Sequence, residues 1–81
     1  MITKYAIETA YSFFHQKQRV YVHSSIPSQR DDIEYAIASY VGKMSAELYR
    51  EISCGKPDFL MSHDSFATDI DNAVDRLEKM M

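Results

Sequence analysis

Only one cysteine, Cys54, occurs in the 81 residues, so the chain can close no internal disulfide and offers no multi-cysteine metal centre. A lone thiol outside any disulfide framework suits a reducing compartment. Tryptophan is absent, and glycine and proline occur twice each, which argues against a flexible, low-complexity chain. No run approaches the roughly 18 apolar residues of a membrane span. Glu8 interrupts MITKYAIETAYSFF, where a signal peptide needs an unbroken apolar segment. The expectation is a cytoplasmic protein with no membrane association.

Basic charge is also scarce. The net charge is −3. It is unevenly spread: Lys4, Lys17, Arg19 and Arg30 against Glu8 give residues 1–30 a net +3, and the remainder carries −6. A nucleic-acid binder concentrates its basic side chains into a footprint, and only a faint one exists at the N-terminal end.

What is present is apolar and aromatic. Apolar residues make up 46% of the chain, with six tyrosines and four phenylalanines. Such rings supply large buried areas to a chain short enough to hide only about 60–65% of its unfolded surface. Turn residues divide the sequence at 24–28, 42–45 and 54–58. Roughly residues 3–23 read as one helix, with Ala6, Ile7, Ala10, Tyr11, Phe13, Phe14, Val20, Tyr21 and Val22 on a broad arc that two neighbours could cover. Lys17 and Gln18 intrude on that arc. The alternative is a short strand over Arg19–His23, because Val-Tyr-Val has strand propensity.

A second helix follows with Ser28 as N-cap and Asp31, Asp32 and Glu34 near its positive end. Its stripe is Ile33, Ala36, Ile37, Tyr40, Val41 and Met44, and Gly42 is its expected stop. Ser45 caps a third helix over 46–53, burying Leu48, Tyr49 and Ile52. Gly55 then supplies the left-handed residue and Pro57 blocks continuation. Phe59, Leu60 and Met61 plug the bundle from the turn Asp58–His63. The last helix, about 64–80, buries Phe66, Ile70, Ala73, Val74, Leu77 and Met81 and shows Asp64, Asp71, Asp75 and Glu78 on its other side. The predicted fold is therefore all-α: a compact bundle of about four helices with short connections, one domain over residues 1–81, with helix one at its centre.

Catalytic and metal motifs are thin. His15, His23 and His63 lack the i, i+4 pairing of a helical zinc site, and His63 and Asp64, adjacent on a helix, would point apart. Asp69-x-Asp71 begins like a calcium loop but lacks the glycine required at Val74 and the glutamate required at Met80. Gly42-Lys43 has no earlier glycine and no preceding strand, so it is no phosphate loop. Ser53-Cys-Gly-Lys56 spells Ser-x-x-Lys without partners. Cys54 sits at a helix C-terminus, the wrong pole for thiolate activation. No catalytic residue, cofactor or metal is expected. The acidic edge of the last helix reads as a solvated face or, less simply, as a docking strip for a basic partner.

Two features point to a partner. Tyr35 faces away from the core beside Ala38 and Gly42, and a tyrosine next to small residues lets another helix approach closely. The plainer reading is a lone exposed tyrosine, or one covered by the N-terminal helix. The other feature is the run from Ala38 through Gly42 to Leu48, within residues 36–53, which resembles a helix-turn-helix: small residue, glycine at the turn, apolar residue beyond, with Ile37 and Val41 at apolar positions. Lys43 and Arg50 are then the candidate DNA contacts. Lys43 and Glu51 depart from that pattern, and SAELYREIS carries two glutamates against one arginine, which suits a phosphate-lined groove poorly.

The stretches YAIETAYSFFHQKQRVY and QRDDIEYAIASYV, about half the chain, resemble a group of small bacterial proteins associated with mobile elements. That resemblance brings no established activity or site. By analogy alone it favours the helix-turn-helix alternative, since small mobile-element proteins are often regulators. The reading is of a non-catalytic domain acting through a protein partner or self-association, a homodimer included, with DNA binding as the alternative.

Overall fold

The computed structural model describes residues 2–81. Four helices follow in order: α1 (Lys4–His23), α2 (Pro27–Lys43), α3 (Ala46–Ser53) and α4 (Phe66–Met80). The described residues include no strand, and the molecule is an all-α bundle. α1 packs against both α2 and α4, and α4 carries α3 on its flank.

Thr3 starts α1, its Oγ1 accepting from the Ala6 N–H at 3.0 Å. Ala10, Phe14 and Tyr21 are its fully covered residues, a spacing of one and then two turns that aims all three at the same seam. The strand alternative over Arg19–His23 is overturned: the helix runs through His23. A strand there would lack a pairing neighbour, whereas the helix places Tyr21 against Phe66, ring centroids 4.9 Å apart. The arc is narrower than expected, for Val20 and Val22 are each 50% exposed. In the polar turn between Phe14 and Tyr21, Lys17 lies over the Phe13 ring and Gln18 donates to Asp71.

Pro27, not Ser28, opens α2. Ile26 is the N-cap and makes no side-chain cap bond. Proline's fixed φ suits the first helical position and its missing N–H would be unpaired there anyway. Asp31 consequently lies beyond the first turn. Gly42 does not stop the helix, which continues to Lys43 before Met44 turns extended. Ile33, Ile37 and Val41 are buried. Tyr40 stacks on Phe13 at 4.4 Å and meets Phe14 edge-on at 5.4 Å, which ties α2 to α1 through rings.

Ser45 caps α3 as expected, accepting from Leu48 N–H at 3.4 Å, and Leu48 and Ile52 are buried. The helix ends on Cys54 at φ 54°, with Gly55 following at φ 80°. Residues 54–65 form the one long connection, and Asp58 and Leu60 also hold positive φ, which costs an L-residue about 1–2 kcal/mol. Phe59 and Leu60 plug the bundle at 1% exposure, but Met61 is half exposed and does not.

The loop is held by Asp69, which is completely buried. Its carboxylate accepts from the Leu60 N–H at 3.0 Å and the Ser65 hydroxyl at 3.1 Å, and it pairs with the Lys56 ammonium. An ionised carboxylate is tolerated in a core only with such partners, and its place in the first turn of α4 lets the helix dipole add to them. α4 accordingly begins at Phe66 instead of 64, with Ser65 engaged by Asp69. Arg76 lies over the Phe59 ring and donates to the Ile52 carbonyl, and the Tyr49 hydroxyl donates to the Phe59 carbonyl at 2.7 Å. Phe66, Ile70, Ala73, Val74 and Leu77 face inwards as expected, whereas Met81, beyond the helix, is exposed.

Asp69→Ala should therefore lower unfolding free energy by about 2–4 kcal/mol, because it leaves the buried Leu60 N–H and the half-buried Ser65 hydroxyl without their acceptor and the Lys56 ammonium without its carboxylate. Asp75→Ala, on the outer face of the same helix, should cost less than about 0.5 kcal/mol. Urea denaturation of both variants measures the contrast, and equal effects would refute the organising role of Asp69.

Candidate functional site

α2 presents two kinds of chemistry. Its outer side carries the residues singled out by pattern. Tyr35 is 77% exposed and Gly42 is exposed one helical heptad later on the same side, while Ala38 between them is half-buried. A side chain built on Gly42 would meet nothing within 4 Å, so no neighbour in this chain requires a glycine there.

Lys43 and Arg50, the candidate DNA contacts, are both exposed, and only Met44 and Ser45 separate α2 from α3. α3 is eight residues long, and Glu51 is exposed beside Arg50. Negative charge next to the candidate arginine opposes a phosphate backbone. The Ser-x-x-Lys pair is used structurally: Ser53 donates to the Arg50 carbonyl at 3.2 Å, and Lys56 is held by Asp69.

The other chemistry lies at the start of α2 and is invisible to local pattern. Asp31 and Glu34, at i and i+3, project from one side of the helix towards His63 of the long loop. His63 Nδ1 lies 2.8 and 3.0 Å from the two Glu34 carboxylate oxygens. Glu34 also accepts from the Tyr21 hydroxyl at 3.3 Å, so the cluster is wired to the core. The ligand atoms of Asp31, Glu34 and His63 all fall within 4.8 Å of one another. A cleft of about 350 Å³ adjoins them, lined by Ser25, Pro27, Arg30, Asp31 and His63. Arg30 donates to the Ser24 carbonyl at 2.9 Å and covers the Tyr21 ring.

Residues so far apart in sequence carry no spacing motif, and a search for histidines at i, i+4 cannot find a histidine whose carboxylates come from another helix. The acidic pair at i, i+3 was the one local trace.

The hydrogen bond and charge of Glu34 raise the His63 pKa above its ordinary 6.5, with Asp31 and Asp64 adding to the effect and desolvation opposing it. Burial, and then Glu34, likewise raises the Tyr21 pKa above 10.0.

No protein-family model matches the chain, and no curated protein or solved structure matches it significantly.

A histidine with a raised folded-state pKa stabilises the fold most fully below pH 6.5, and that contribution fades as pH rises through the folded value. NMR titration should place His63 above 6.5, and Glu34→Gln should return it towards 6.5. An unaltered midpoint in that variant would remove Glu34 as the cause.

Proposed function

We propose that the protein is a non-catalytic cytoplasmic module that acts through protein–protein contact, with the outer side of α2 as its contact surface and a helix of a second chain as its counterpart. The observation that carries this reading is the pairing of Tyr35 with Gly42. A glycine inside an exposed helix costs about 0.5–1 kcal/mol relative to alanine, and nothing in this chain occupies the space above it. A helix laid across Gly42 would use that space, and Tyr35 would anchor it, since amphipathic rings dominate the centres of interfaces. Regulatory or adaptor roles are the kind of work such a surface does. The two-residue α2–α3 junction keeps the helix-turn-helix alternative in view, with Lys43 and Arg50 as its contacts.

Tyr35→Asp should abolish association while leaving helical content and melting temperature nearly unchanged, because a side chain this exposed contributes little to the fold. Gly42→Ala should stabilise the monomer by about 0.5–1 kcal/mol and weaken association. Light scattering on the purified chain, and nuclease-treated capture from the native cells, read both effects. A collapse of the fold in Tyr35→Asp would count against the surface. Recovery dependent on nucleic acid, weakened by Arg50→Glu, would replace it with the DNA reading.

A further inference from the structure

We propose that Asp31, Glu34 and His63 form a binding site for a divalent transition-metal ion, which fastens the loop of residues 54–65 to α2. The three side chains supply one imidazole nitrogen and two carboxylates from two elements remote in sequence, with every ligand atom within 4.8 Å of the others. Metal–ligand bonds of roughly 2.0–2.2 Å set neighbouring donors about 3–4 Å apart, so small rotations of the exposed Asp31 and His63 side chains close the set around the half-buried Glu34. His63 Nδ1 already meets both Glu34 oxygens. A metal would take the place of the proton they share.

The surroundings fit as well. Ligating carboxylates are characteristically held by an outer hydrogen bond, and the buried Tyr21 supplies one to Glu34 at 3.3 Å. The adjoining cleft of about 350 Å³ leaves room for water on the open coordination positions. Arg30, the nearest cation lining that cleft, is committed to the Ser24 carbonyl and the Tyr21 ring. One nitrogen with a few oxygens suits zinc, cobalt or manganese, whereas calcium requires six to eight oxygens. The site is independent of the α2 contact surface, which is defined by Tyr35 and Gly42.

Zinc is titrated into the full chain by calorimetry, and cobalt is followed by its visible absorption and by paramagnetic broadening in the NMR spectrum. One zinc per chain is expected, with broadening centred on Asp31, Glu34 and His63. His63→Ala should abolish binding. Asp31→Asn should weaken it about tenfold or more, by analogy with the loss of outer-shell partners, while leaving the His63–Glu34 hydrogen bond in place. The double variant His15→Ala/His23→Ala should bind as the unaltered chain does. Of the substituted residues, Asp31, His23 and His63 are exposed and His15 is half-buried, and circular dichroism checks that each variant is folded. Absence of saturable binding, indifference to both Asp31→Asn and His63→Ala, or loss of binding in the double variant would each overturn the site.

Discussion

A carboxylate with no access to solvent is the constraint around which this molecule is arranged. Asp69 is buried in the first turn of α4, and its charge obliges the chain to bring donors to it. Lys56, the Leu60 N–H and the Ser65 hydroxyl all come from the preceding loop. Meeting that demand bends the loop into left-handed conformations at Asp58 and Leu60, which isolated residues avoid. The same bend drives Phe59 and Leu60 into the core. Burial of those two side chains and satisfaction of Asp69 thus support each other, and together they offset the local backbone strain.

Positioning of the candidate site follows from that loop. With Leu60 fixed, His63 emerges opposite α2, where Glu34 receives it. Glu34 is in turn held by Tyr21, whose ring meets both Phe66 and the Arg30 guanidinium. α1 is the spine of this arrangement: Phe13 and Phe14 grip Tyr40 of α2, and Tyr21 reaches Phe66 of α4. Asp31 and His63 are exposed, and the half-buried Glu34 ties them to the aromatic core.

α2 therefore has three faces of different character. Ile33, Ile37 and Val41 are buried, Asp31 and Glu34 meet the loop, and Tyr35 with Gly42 faces outwards. An ordinary solvated helix would carry charged or long polar residues where the tyrosine and glycine stand.

Local pattern determined the helical class, the four elements, the cap at Ser45, and the inward stripes of α3 and α4, because each depends on contacts within a few residues. Tyr35 was also legible as outward-facing, since the rest of its stripe fixes the rotation of α2. Tertiary structure decided the remainder. Tyr21 belongs to a helix because Phe66 is there to cover it, and Pro27 takes the first position that Ser28 was expected to cap. Asp69 reads from the sequence only as the start of a calcium loop that lacks its glycine and glutamate, yet it is buried because Lys56 and the loop backbone come to it. His63 acquires the Glu34 carboxylate from 29 residues away. Local pattern records which side of an element is apolar, whereas pairing between charges is settled only when separate elements dock and water is excluded between them.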